Sequence, residues 1–180
     1  MQRVDGRLSN QIRPISLTPN FISYAAGSVL IELGNTKVLC AVSLIPSVPS
    51  FLKNKKTGWL TAEYAMLPAA THNRMQRESI SSQRQSRAVE ISRLIGRVFR
   101  SVVDLSVLGE QTLAIDCDVL QADGGTRTAA IIGSNYALQL AQAKLLELGL
   151  VKSNFIKTEI SAISVGIVGE SLMLDLNYEE

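Results

Sequence analysis

The chain has 180 residues, 46% of them hydrophobic and 19% charged, which sizes it for one domain and excludes a disordered segment. No apolar run approaches the roughly 20 residues needed to cross a bilayer. The charged start Met1-Gln2-Arg3-Val4-Asp5-Gly6-Arg7 lacks the apolar stretch of a signal peptide, so no membrane association and a cytoplasmic location are expected.

Ile15 to Leu17, Ser28 to Leu33 and Lys37 to Ile45 are rich in β-formers, and Gly34-Asn35 between the last two is a hairpin signal, so the chain opens with antiparallel strands. Cys40, and Cys117 further on, lie in apolar strand-like runs and read as buried free thiols. Pro46, Pro49 and Lys53-Asn54-Lys55-Lys56 predict an exposed basic loop, after which Trp59 to Met66 returns to strand character. Between Ser86 and Leu105 the residues Ile91, Leu94, Ile95, Val98, Val102 and Leu105 recur at helical spacing and predict one buried helix face. Arg93, Arg97 and Arg100 fall on a neighbouring stripe.

Net charge is only +2, but it is unevenly spread. Seven arginines (74, 77, 84, 87, 93, 97 and 100) stand against Glu78 and Glu90, giving this segment +5 and the rest of the chain −3. A polyanion ligand explains such a patch, as does a solvated helix face or a set of interface ion pairs.

In Thr112 to Leu120 alternation sends Leu113, Ile115, Cys117 and Val119 to one face and Asp116 with Asp118 to the other. Two carboxylates on one face suit a divalent cation or an arginine partner, and two alone do not make a metal site. Gln121-Ala122-Asp123-Gly124-Gly125-Thr126-Arg127-Thr128 then joins this strand to a helical pattern running to Leu148. The first N–H groups of a helix lack intrahelical acceptors and sit at its positive end, so a phosphate there gains hydrogen bonds and charge stabilisation together. Thr126 adds a hydroxyl and Arg127 a guanidinium fork. An ordinary glycine turn capped by threonine also accounts for these residues. Ala130, Gly133, Ser134, Ala137 and Ala141 predict close packing of this helix on a sheet, and Lys157 to Val168 with Leu172 to Leu176 read as two last strands around Gly169-Glu170-Ser171.

No Gly-x-x-x-x-Gly-Lys-Ser/Thr or Gly-x-Gly-x-x-Gly occurs, and His72 is the only histidine, so P-loop, dinucleotide and histidine-rich zinc readings have no support. An enzyme without its own nucleophile still works when the co-substrate attacks, and inorganic phosphate is such a co-substrate. The protein then has to hold phosphate in line and neutralise charge, a task for arginines, backbone N–H groups and a metal.

Asp5-Gly6-Arg7, Gln11-Ile12-Arg13-Pro14, Gly27 to Glu32, Thr36 to Cys40, Gly58-Trp59, Thr61 to Tyr64, Met66-Leu67-Pro68, Thr71-His72, Arg74, Arg77-Glu78, Arg87, Glu90-Ile91, Arg93 to Ile95, Leu108-Gly109-Glu110, Asp116 to Thr128 and Ser164 to Ile167 together resemble the ribonuclease PH family. Its members are bacterial phosphorolytic 3′-to-5′ exoribonucleases that trim transfer RNA precursors. The resemblance implies an α+β fold like the second domain of ribosomal protein S5, with helices packed on a mixed sheet. It implies inorganic phosphate as co-substrate, RNA with transfer RNA precursor 3′ ends as partner, and a homohexamer built as a trimer of dimers. Phosphate is expected on Arg87, Gly125, Thr126 and Arg127, with Arg87, Thr126 and Arg127 as the catalytic set. Arg74, Arg77, Arg93 and Arg97 are expected in RNA binding or at an oligomer interface. Ala69 departs from the family's arginine. The family pattern continues past Glu180 with two aspartates linked to a divalent cation, expected to be magnesium, so the chain is expected to be one domain lacking the last strand and helix. Two functions follow from this: a phosphorolytic nuclease, or a catalytically weak RNA-binding, ring-forming module.

Overall fold

The computed structural model describes residues 3–77 and 86–180. Five strands form one mixed sheet: β1 (Ile15–Pro19), β2 (Gly27–Leu33), β3 (Thr36–Ile45), β4 (Trp59–Met66) and β5 (Thr112–Gln121). Their spatial order is β1-β2-β3-β5-β4, with every pair antiparallel except β4 and β5. The parallel pair requires a crossover, and helix α1 (Ser86–Val102) lies within it. Helix α2 (Thr126–Glu147) follows β5, and a separate antiparallel hairpin, β6 (Val165–Val168) with β7 (Ser171–Leu174), closes the order.

Side-chain alternation decides which sheet face is covered. Val29, Ile31, Leu33, Val38, Cys40, Val42, Leu60, Leu113, Ile115 and Val119 all point to one side and are buried in a single core with Ile91, Ile95 and Phe99 of α1 and Ala130, Ala137 and Leu138 of α2. Helix α2 packs on β2 and β3, and α1 on β4. The small residues of α2 permit its close approach: a Cβ on Gly133 would lie 2.7 Å from Cys40 Sγ and 2.8 Å from Ile31 Cγ2. Asp116 and Asp118 occupy the opposite face, as alternation predicts.

Because β4 and β5 are parallel, their carboxyl ends lie side by side, Tyr64 beside Cys117 and Met66 beside Val119. The chain leaves β5 at this end and enters α2 through Ala122 to Gly125. One predicted strand is shorter than its sequence suggests. In the run predicted from Lys157, Lys157 N–H donates to the Val102 carbonyl of α1 at 2.8 Å and Ile160 N–H to Asn135 Oδ1 of α2, while just before it Phe155 and Ile156 N–H donate to Gln142 Oε1. These bonds replace a strand ladder, and pairing begins only at Val165.

Candidate anion-binding site

Gly124 and Gly125 have φ of 74° and 68°, a region that glycine enters without the strain a Cβ brings. This left-handed pair turns the chain from β5 directly into α2. The first bond into the helix runs from Ala129 N–H to the Gly125 carbonyl at 2.9 Å. The amides of Thr126, Arg127 and Thr128 precede it, and no protein acceptor meets them among the described residues. Gly125 supplies no side-chain cap and the first turn carries no acidic residue. Three donors thus stand at the positive end of a 22-residue helix, an arrangement that can take up an anion.

Arginines flank these amides. Arg87 stands exposed in the first turn of α1, and Arg127 Nη2 donates to Glu90 Oε2, one turn further along α1, at 2.9 Å. Both partners of that pair are about half exposed, so it contributes at most ~1 kcal/mol, less than a charge-assisted bond to phosphate. Thr126 is only 6% exposed, and its Oγ1 accepts a hydrogen bond from the Tyr64 hydroxyl at 2.9 Å. Burial raises the Tyr64 pKa, against the hydrogen bond to Thr126 and the positive charges of Arg87 and Arg127, which act to lower it. Both guanidinium charges thus act on the same phenol.

Behind the glycines lies a buried ionic frame. Arg13 Nη1 donates to the Asp123 carbonyl at 2.5 Å and Nη2 to the Gly124 carbonyl at 3.3 Å. Thr36 Oγ1 joins the same turn, donating to Gly124 O at 2.6 Å and accepting from Asp123 N–H at 3.0 Å. Arg13 is itself held by Asp175, which is fully buried and accepts from Arg13 N, Nε and Nη2 at 2.7, 2.9 and 2.6 Å. Burial acts to raise the Asp175 carboxyl, but the Arg13 bonds and the charges of Arg13 and Arg7 outweigh it and hold the pKa below the usual range. Arg3 extends the frame through a bidentate pair with Glu180 at 2.6 and 2.5 Å. Sequence reading identified none of Tyr64, Glu90 or Asp175 as part of this site.

The other arginines separate into two groups. Arg74, Arg77, Arg93 and Arg97 are exposed, whereas Arg100 donates to the Leu60 carbonyl at 2.9 Å and lies 4.8 Å over the Trp59 ring. Arg100 is therefore committed to packing. Glu78 and Arg84 lie outside the described residues. His72 is exposed beside Tyr178, with ring centroids 5.1 Å apart. Cys40 and Cys117 are buried free thiols on adjacent strands, and the Cys117 neighbour together with burial raises the Cys40 thiol well above its ordinary value.

Asp116 stands beside Glu63 in the β4–β5 register; burial, then the Glu63 and Asp118 charges, raise its pKa. Among the described residues no group of three or more His, Cys, Asp or Glu side chains is placed to hold a metal ion. The described residues therefore do not by themselves make up a metal centre.

The elements define an α+β protein with a mixed five-stranded sheet, whose helix α2 begins beside two arginines. Sequence comparison gives the family. The model of the 3′ exoribonuclease family, domain 1, matches residues 11–144, and the chain belongs to that family. Proteins named Ribonuclease PH from Dehalococcoides mccartyi strains 195 and BAV1 are 52% and 51% identical over 180 residues, covering 100% of this chain and 75% of each relative. Among solved structures, rice (Oryza sativa) Rrp46 superposes with a TM-score of 0.78 at 25% identity, covering 98% of this chain and 74% of that one. The Archaeoglobus fulgidus exosome with RNA bound to its active site gives 0.79 at 23% identity, covering 99% and 72%. These likenesses agree with the mixed sheet and its paired helices.

Proposed function

We propose that this protein is a phosphorolytic 3′-to-5′ exoribonuclease acting on transfer RNA precursor ends, and that the phosphate sits at Gly125, Thr126, Arg127 and Arg87. The single observation that carries the site assignment is the set of unpartnered amides at Thr126 to Thr128, flanked by arginines on two helices. Membership of the 3′ exoribonuclease family and the name Ribonuclease PH carried by its relatives support the reaction.

In this reading a phosphate oxygen attacks the phosphorus of the 3′-terminal nucleotide. A new P–O bond forms to inorganic phosphate, the P–O3′ bond to the preceding ribose breaks, and a nucleoside 5′-diphosphate leaves. The shortened RNA retains a 3′-hydroxyl, its oxygen taking a proton. The amides of α2, the Thr126 hydroxyl, Arg127 and Arg87 orient the attacking dianion and neutralise it, which lowers the entropic part of the barrier. On binding, Arg127 exchanges the weak Glu90 contact for phosphate. The exposed Arg74, Arg77, Arg93 and Arg97 supply positive charge for the RNA backbone or for a homo-oligomeric ring. A continuous core shared by the sheet and both helices supports a single domain.

The test is RNA shortening with and without inorganic phosphate. Shortening that requires phosphate and yields nucleoside diphosphates supports the proposal, and shortening by water to monophosphates refutes it. RNA binding without shortening leaves only the RNA-binding module. Arg127→Ala and Arg87→Ala are each expected to raise the phosphate requirement about tenfold to a hundredfold, from the loss of ~1.5 to 3 kcal/mol of charge-assisted bonding. RNA affinity without phosphate should change little; an equal loss there places these residues on the RNA path.

A further inference from the structure

Tyr64 projects from β4 to the helical side of the sheet and is 4% exposed, which by burial alone makes it a core residue. Its polar atoms tell more. On the free edge of β4 its backbone N–H donates to Ser92 Oγ of α1 at 2.9 Å. Its hydroxyl donates to Thr126 Oγ1 in the first turn of α2, also at 2.9 Å. Tyr64 thus ties together the two helices that carry Arg87 and Arg127.

The direction of the second bond matters. A threonine hydroxyl has one proton and accepts through its lone pairs. With Tyr64 occupying an acceptor position, the Thr126 proton is left without an acceptor from the phenol. It is then free for a different acceptor, and Thr126 stands in the helix turn whose amides, Thr126 to Thr128, meet no protein acceptor among the described residues. Burial keeps the phenol protonated over the neutral range, so it remains a donor. We infer that Tyr64 is a positioning residue for phosphate, fixing the Thr126 hydroxyl so that its proton is donated to the bound anion.

This inference rests on the reading of Thr126 as a phosphate ligand, and the test separates the two. Inorganic phosphate is titrated calorimetrically into the wild-type chain, Tyr64→Phe, Thr126→Val and the double variant, with thermal melts on each. Tyr64→Phe is expected to weaken phosphate binding about five- to tenfold, the worth of one hydrogen bond. The same substitution in the Thr126→Val background is expected to change nothing further, whereas Thr126→Ser, which keeps the hydroxyl, should restore sensitivity to it. A purely structural Tyr64 would lower the melting temperature and leave phosphate affinity unchanged in every background, which overturns the inference. Losses that multiply in the double variant overturn it too. If Tyr64→Phe does not fold, Thr126→Val still decides: it must lose at least fivefold in phosphate affinity, and unchanged affinity refutes the role. A wild-type chain that binds no phosphate brings down the reading of Thr126 itself.

Discussion

Asp175→Asn isolates the frame behind the glycine turn. The carboxylate is fully buried and accepts three bonds from Arg13 and a fourth from Arg7 Nη1 at 3.2 Å. Asparagine fills the same space and tolerates the Asp175 backbone, whose φ is 50°, so the change removes charge with little strain. It leaves Arg13, with its side chain 5% exposed, facing neutral carbonyls, the nearby Arg7 and a single, partly exposed carboxylate, Asp123, at 3.9 Å. Breaking one side of a buried ion pair costs about 3 to 5 kcal/mol. At ~2 to 4 °C per kcal/mol for a chain of this size, the melting temperature should drop by about 6 to 20 °C at neutral pH. The sign of the pH dependence follows from the depressed carboxyl pKa. Wild-type stability from Asp175 is fully present above the ordinary aspartate value of 3.8 and is lost as pH falls through the lower folded value. The gap between wild type and variant should therefore be constant from pH 8 to 5 and close only below about pH 4. Thermal melts followed by circular dichroism across this range measure it. A gap under ~2 °C at pH 7, or one that closes near pH 6, refutes the assignment of a buried pair.

Gly124→Ala should lower both stability and phosphate affinity. A Cβ there lies 2.7 Å from the Leu176 carbonyl oxygen and the Asn177 carbonyl carbon, both backbone, and a left-handed alanine costs ~1 to 2 kcal/mol before any clash. Melting and phosphate titration check this, and a wild-type melt contradicts the turn geometry. Arg97→Ala and Arg100→Ala should separate the two roles of the basic stripe. Arg97→Ala should reduce the salt dependence of RNA binding by about one unit of slope with stability unchanged, while Arg100→Ala should lose ~1 to 3 kcal/mol of stability through its Leu60 bond and Trp59 contact. Identical effects on RNA binding would deny the division.

How far the sequence announced this molecule depends on the range of the interaction that fixes each part. Strands such as Trp59–Met66 and the Ile91, Ile95 and Val102 face of α1 follow from spacing within a few residues, although Phe99, fully buried on that face, is not among the residues whose spacing predicts it, and Gly124-Gly125 before Thr126 marks the helix start because only a left-handed turn there needs two glycines. The partners that give these elements their chemistry are remote. Tyr64 alternates with Leu60 and Ala62 and therefore looks like one more core side chain, until the fold brings Thr126, 62 positions away, to its hydroxyl. Asp175 follows a short strand and looks like a turn residue, yet Arg13, 162 positions earlier, makes it the buried anchor of the glycine turn. Arg100 shares its helical stripe with Arg97, but the Leu60 carbonyl on the free edge of β4 and the ring of Trp59 draw it inward. Periodicity assigns a side chain to a face; what waits on that face is set by the crossover that lays β4 beside β5. The anion site is legible as a motif because its amides are local, and its precision is not, because the groups that hold those amides and the Thr126 hydroxyl in place meet only after the sheet has closed over the core.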